Sequence, residues 1–318
     1  MSEVARAAGV SLQTVSRVLN HAKNVRKETR ERVLLAVDQV GYRPSFAGRS
    51  LRRGSYRTIG FCTPDIGMSN LVALRGVTAA ASERGYALTL VQLDAPLKEI
   101  SRQLVALPVD GIIVNIDRRP PDFDTFVPFP GIGTVLISGF EQPYCTTVDI
   151  DHEQVAELAV GYLASRGHRH IRFVGGPKDS TRAELREVGW RNALLRRGLP
   201  LSEPLRVDWT ADGGYEAGQV IAQDPEMTAV FAANDQIAFG VGCGLEDHGM
   251  FTPEDVSIVG VDDSLGDIAP HNIITSVSID NEWLWETAFE CAVAQTADVR
   301  AIRTKGTLVE RGSVSDLR

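Results

Sequence analysis

Seven consecutive residues near the start of the chain, Ser11 to Arg17, bring together an arginine, a glutamine, a leucine and three hydroxyls. A guanidinium fork can donate two bonds to guanine O6 and N7, a carboxamide can pair with adenine, and a leucine can meet a thymine methyl. Such chemistry needs a rigid element that fits the DNA major groove. The flanking sequence supplies one. Residues 2–8 are apolar at Val4, Ala5 and Ala8, as a short helix requires, and Gly9 ends it. Ser11 stands where a helix N-cap belongs, its hydroxyl able to take a free amide of the next turn. Val15, Val18 and Leu19 give the second helix a buried face; Leu12, Gln13, Ser16 and Arg17 fall opposite. A helix, a tight glycine-containing turn and a second helix form the arrangement that inserts its second helix into the major groove. An ordinary amphipathic helix pair is the plainer alternative.

Charge is divided in the same sense. The 318 residues carry a formal −8, yet residues 1–57 hold 12 Lys/Arg and 4 Asp/Glu, a net of +8. That leaves 21 of the 33 basic and 37 of the 41 acidic residues to the remainder, a net of −16. An acidic body repels a polyanion, so only the head suits phosphate contact. Hydrophobic content of 43% and charged content of 23% exclude a disordered chain. The longest apolar stretches are too short to cross a bilayer, and MSEVARAAGVS lacks a secretory pattern, so the expected location is the cytoplasm. Cys62, Cys145, Cys243 and Cys291 lie far apart, which predicts buried reduced thiols, no disulfide and no metal site.

From Thr58 onward short apolar strands alternate with helices. Strands are predicted at 58–63, 87–92, 111–115, 134–138 and 146–149, then at 171–175, 205–208, 229–232, 256–260 and 275–278. Helices are predicted at 70–84, 97–107, 153–166, 182–197, 214–223, 236–248 and 283–295. The alternation implies parallel sheets covered on both faces, and two successive sets imply two similar lobes with a ligand at the strand ends between them. This pattern alone does not separate a sensor from a two-domain dehydrogenase. HRH at 168–170 lacks spaced partners for zinc and reads as a loop. GVGCG at 240–244 lies inside a helix, so its small residues read as close packing rather than a phosphate loop. Trp190 reads as core.

In combination, GVS-x-x-TVSRVLN (9–20), TRERV (29–33) and GYRPSFAGRSL (41–51) resemble the lac repressor/galactose repressor family of transcription regulators. ELREVGWRNAL (184–194), VDWTADGGYEAG (207–218), VFAANDQIAFG (230–240), EDVSIVGVDD (254–263) and LVERGS (308–313) extend the resemblance over nearly the whole chain. It implies an all-α helix-turn-helix head at 1–43, a hinge helix and linker at 44–57, and an α/β effector-binding and dimerisation domain at 58–318. That last domain is periplasmic-binding-protein-like (type I), with two doubly wound lobes. By the resemblance Leu12, Gln13 and Arg17 are base readers, and Ser11, Thr14, Ser16 and Asn20 are phosphate anchors, which fix register without reading sequence. Pro44 suits the first turn of a hinge helix at 45–52, which would form when two copies pack over DNA, with Leu51 wedged into the minor groove; a flexible basic linker is the alternative. A third helix at about 27–40 stops at Gly41, but Arg26 stands where relatives carry Ser, which weakens its cap. The family's Thr-(Ile/Leu)-x-Asp stretch before the first helix is not part of this sequence, and Ser2 is one candidate to replace that cap.

For the effector, the resemblance assigns sugar hydroxyls to Arg186, Asn234 and Asp262, a stacking face to Trp209, and a further contact to Asp149. Adjacent hydroxyls suit planar forks and amides, and the C–H face of a pyranose suits an aromatic ring. Ile279 and Asn281 replace a Gln and an aromatic usual in the family, at the loss of a polar contact and an apolar wall. The reading is a cytoplasmic repressor, not an enzyme, without cofactor or membrane. It binds near-palindromic operator DNA as a homodimer and responds to a small sugar; with no heptad run after LVERGS, no tetramerising helix is expected. The alternatives are a purine- or phosphosugar-responsive relative, or a sugar-binding protein with a disabled head.

Overall fold

The computed structural model describes residues 1–318 except 20, 21, 23, 44–49, 51–53, 65, 93, 267, 268, 270, 295–297 and 318. Two compact units divide the chain, Met1–Arg57 and Thr58–Arg318.

The head holds α1 (Ser2–Ala8), α2 (Leu12–Leu19) and α3 (Lys27–Val40). Gly9 closes α1 in the left-handed region at φ 61°, which a Cβ would disfavour, and the amide of Val10 turns back to the Ala5 carbonyl at 3.0 Å. Gly41 closes α3 the same way at φ 63°. Val4, Ala5, Ala8, Val15, Val18, Val33 and Ala36 interlock as the core of the three helices, with Leu19, Val37 and Val40 partly buried against them. Met1, not Ser2, occupies the N-cap of α1, and no side chain caps that end. Arg26 likewise gives α3 no side-chain cap.

In the second unit, β1 (Thr58–Thr63), α4 (Met68–Glu83), β2 (Ala87–Gln92), α5 (Leu97–Val105), β3 (Gly111–Asn115), β4 (Gly133–Ile137) and β5 (Thr146–Ile150) build a first lobe. A second lobe follows with α6 (His152–Ser165), β6 (Ile171–Gly175), α7 (Thr181–Arg196), β7 (Leu205–Arg206), α8 (Ala211–Ile221), β8 (Ala229–Ala232), α9 (Asp235–Glu246), β9 (Ser257–Val261) and β10 (Thr275–Ile279). The chain then returns through α10 (Asn281–Ala294) and β11 (Ala301–Thr304) to the first lobe and ends with β12 (Gly306–Val309) in the second. The sheets run β11-β5-β4-β3-β1-β2 and β12-β10-β9-β8-β6-β7. All pairings are parallel except β10 with β12. Phe61 faces Leu90 and Ile113 across the first sheet, and Phe173 faces Phe231 across the second.

Burial explains the composition of the strands. β1, β3, β8 and β9 are buried along their whole length, the signature of parallel strands covered on both faces. Trp190 lies fully buried, stacked on Phe173 at 5.8 Å, with its indole N–H on the Ile171 carbonyl. Two of the three glycines of 240–244, Gly240 and Gly244, serve close packing, while an added Cβ at Gly242 would meet nothing within 4 Å. A Cβ at Gly240 would collide with the Ala211 carbonyl, and one at Gly244 with the Tyr215 carbonyl. His168 is a structural residue of the loop before β6, bonded to Thr228 and Ser315.

Some boundaries differ from the sequence reading. α8 starts at Ala211 rather than 214, because the Thr210 hydroxyl accepts from the Gly213 amide and caps it early. β11 and β12 were not predicted; both are four-residue edge strands, too short for a periodic signal. All four cysteines are free, but only Cys62 and Cys145 are buried. Among the described residues no helix is long and apolar enough to cross a membrane, and no group of His, Cys, Asp or Glu could hold a metal ion.

Candidate functional sites: a groove-reading helix and an inter-lobe cleft

On α2 the buried and exposed faces separate cleanly. Val15 and Val18 point into the head core, while Leu12, Gln13 and Arg17 are exposed together, Leu12 at 52%. The Ser11 hydroxyl accepts from the Thr14 amide at 3.1 Å and bonds its hydroxyl at 2.9 Å, so it caps α2. Ser11 is exposed, and Thr14 and Ser16 are half-buried beside it. Asn20 and Leu51 lie outside the described residues, as does most of the 44–57 segment.

Between the lobes opens a cleft of about 970 Å³, its mouth included. Arg186, Trp209, Asn234, Asp262 and Asp149, placed far apart in sequence, all line it. So do Ile279 and Asn281, the two departures from the family pattern. Apart from Arg186, in the second turn of α7, they come from at or just beyond the end of a strand or the start of a helix, where an α/β sheet presents its ligand site.

Arg186, on α7, is only 3% exposed. Its guanidinium donates to the Ala233 carbonyl, to Asp262 Oδ1 at 3.3 Å and to His152 Nδ1 at 3.3 Å. Asn234 does two things at once. Its Oδ1 accepts from the Ile237 amide at 2.8 Å and caps α9, while its Nδ2 donates to the Trp209 carbonyl at 3.3 Å. Trp209 lies half-buried over Gly176, where a Cβ would strike the indole ring. Asp262 and Asp263 follow β9 with φ of 90° and 50°, in the left-handed region that costs a non-glycine residue energy. Arg311 holds Asp263 at 2.7 Å, and the Asp262 amide bonds the Val277 carbonyl.

Behind this corner Asp235 is fully buried and accepts from Ser276 Oγ and the Ser264 amide, both at 2.6 Å. Burial, with the charges of Asp262 and Asp263 nearby, pushes its carboxyl up to about 7. Asp149 goes the other way. Burial opposes its charge, but His152 and Arg182 outweigh that and hold it at about 2.

Sequence reasoning missed Asn70, Asp117, Arg182 and Trp285 in this cleft. Arg182 stands one turn before Arg186 on α7, an i, i+4 relation that could have been read. The others have no local signal, since they reach the cleft only through chain reversals. Asp117 accepts from the Ser180 hydroxyl at 2.8 Å and, through its carbonyl, from the Thr181 amide at 2.7 Å. These bonds, with that from Arg182 Nη2 to Asn115 Oδ1 at 2.6 Å, tie the first lobe to the start of α7.

Comparison with known proteins reaches both units of the chain. Residues 1–45 match the model of bacterial regulatory proteins of the lacI family, and residues 160–314 match that of the periplasmic binding protein-like domain. The chain is 34% identical over 273 residues to catabolite control protein A of Priestia megaterium, covering 82% of each chain. It is 30% identical over 328 residues to the ribose operon repressor of Escherichia coli K12, covering 98% of this chain and 99% of that one. Among solved structures, a lac repressor bound to ONPG in the repressed state superposes with a TM-score of 0.82 at 26% identity, covering 98% of both chains. The chain belongs to the lacI family of bacterial regulatory proteins. It is a DNA-binding transcriptional regulator, and its relatives are regulators rather than enzymes.

Proposed function

We propose that this chain is a homodimeric, cytoplasmic repressor, without catalytic activity, whose grip on operator DNA is set by a small neutral saccharide. One observation carries the effector reading. An arginine fork already held by three hydrogen bonds, an amide, a carboxylate and an indole line one cleft. Three carboxylates (Asp117, Asp149, Asp262) and two guanidiniums (Arg182, Arg186) line that cleft, a net of −1 that disfavours a phosphorylated ligand. The ribose operon repressor among its relatives supports the same class.

In this reading Arg17 and Gln13 read bases, Leu12 meets a thymine methyl, and Ser11, Thr14, Ser16 and Asn20 anchor phosphates. A two-fold dimer matches a near-palindromic operator. The 44–57 segment is the hinge, with Leu51 its minor-groove wedge. Sugar bound between the lobes shifts the population toward a state of lower operator affinity, through its differential affinity for the two states. Thermal melting against mono- and disaccharides, purines and NAD tests the effector. A rise with a sugar supports the reading; a rise with purines alone overturns it. Gel shift with the DNA upstream of its own gene should weaken steeply with salt; binding that ignores salt overturns the role of the basic head.

A further inference from the structure

Arg186 is held from a direction no contact with effector requires. His152, the first residue of α6 at the crossing between lobes, has a side chain only 2% exposed. Its Nδ1 lies 3.3 Å from Arg186 Nε, and its Nε2 lies 3.5 Å from Asp149 Oδ2. An arginine Nε always carries its hydrogen, so Nδ1 must accept, and the imidazole proton must sit on Nε2 facing Asp149. Asp149 is fixed in turn, its Oδ1 accepting from the Ile150 amide at 2.8 Å. Gly139 of the first lobe lies beside the ring, where an added Cβ would come within 3.1 Å of Cδ2. All three guanidinium nitrogens are thereby directed by different elements, Nε by His152, Nη1 by Ala233 and Nη2 by Asp262. Three of its roughly five N–H groups are engaged, which leaves two for the cleft.

We propose that His152 is a positioning residue for the effector site: backed by Asp149, and only as the neutral Nε2–H tautomer, it aims the Arg186 guanidinium into the cleft. This rests on the effector reading above and reassigns Asp149 from a direct ligand contact to the support of His152. The charged groups around the ring are Asp149 from β5, Arg182 and Arg186 from α7, and Asp151 in its own turn. Arg303 on β11 acts on Asp149 from behind, and Asp262 lies beyond Arg186. Burial and the two arginines hold the imidazole below its ordinary range, against the pull of Asp149. Protonation would place an Nδ1–H against the Nε–H of Arg186, donor against donor and charge against charge, and turn the guanidinium away. Effector affinity should therefore fall in acid.

The full-length chain labelled with 15N-histidine has six imidazoles, and His152→Gln identifies the relevant one. Its nitrogen shifts should report the Nε2–H form near neutral pH; an Nδ1–H form overturns the proposal. Calorimetry with D-ribose, D-galactose and cellobiose provides the functional arm. Wild type should bind several-fold more weakly at about pH 4.5, below the ordinary imidazole range, than at about pH 7.5. His152→Gln keeps an acceptor and a donor but does not titrate; it should bind within about threefold of wild type at the higher pH and show a flat profile. That flat profile also separates His152 from Asp235, which remains in the variant. His152→Leu should lose about tenfold at both values while still binding operator. Wild-type affinity and pH profile in His152→Leu would overturn the proposal. If none of the three sugars binds, the choice of these ligands fails, and the tautomer alone decides the positioning role.

Discussion

Arg17 and Arg186 are the same residue in opposite surroundings. Arg17 stands exposed on an eight-residue helix whose packing fixes only the backbone beneath it. Arg186 is buried and bonded on three sides before any ligand arrives. The difference follows from the partners. DNA brings its own dense charge and a rigid groove, so a reader can stay solvated until docking and rely on the groove for alignment. A small neutral sugar brings neither, and must be met by donors already dehydrated and aimed. Truncation should therefore cost the cleft stability and the head only recognition.

The strongest test of that contrast is pH, through the carboxylates around Arg186. Asp235 has a folded value of about 7 against an ordinary 3.8, so the native state binds the proton more tightly than the unfolded chain. Its contribution is complete below about pH 4 and is lost as pH rises through 7, on the order of a few kcal/mol. Urea denaturation between about pH 4 and 8 should show this decline, and Asp235→Asn should flatten it. Asp149, held at about 2, acts in the opposite sense and only in acid, its contribution being lost as pH falls from about 4 toward 2.

Next in size is Arg186→Ala, which strands the Ala233 carbonyl and Asp262. It should destabilise by about 3 kcal/mol in denaturant titration and abolish sugar binding. A melting curve equal to wild type would remove the claim of preorganisation. Arg17→Ala should leave stability within about 0.5 kcal/mol, yet lose about 1–3 kcal/mol of discrimination between operator and a variant at the contacted base. Unchanged selection in competition gel shifts would count against Arg17 as a reader. The smallest effect is at Ser11→Ala, where loss of the α2 cap should cost the head about 1 kcal/mol, seen as faster amide exchange in α2.

How far each site could be read in advance follows from the same contrast. The faces of α2 are set by a helical period over eight residues, and Val15, Val18, Leu12, Gln13 and Arg17 fall where that period places them. Trp209, Asn234 and Asp262 were assigned by the family resemblance rather than by periodicity, and all three line the cleft. Arg182 went unread despite lying one turn from Arg186, because a surface arginine and a cleft arginine look alike in sequence. β11 and β12 were missed because four residues at a sheet edge bury too little to leave a pattern.

What the order of residues settled alone is local: helix faces, caps at Gly9, Ser11 and Gly41, buried strands, and a basic head on an acidic body. These depend on neighbours within a few positions, where periodicity and backbone preference act. Tertiary structure decided the rest. Only the crossing between lobes brings Arg186 to Asp149 and His152; burial there moves Asp235 toward 7, while His152 and Arg182 hold Asp149 near 2 against that burial. Solvation and charge depend on distance through space, and a linear sequence does not contain that distance.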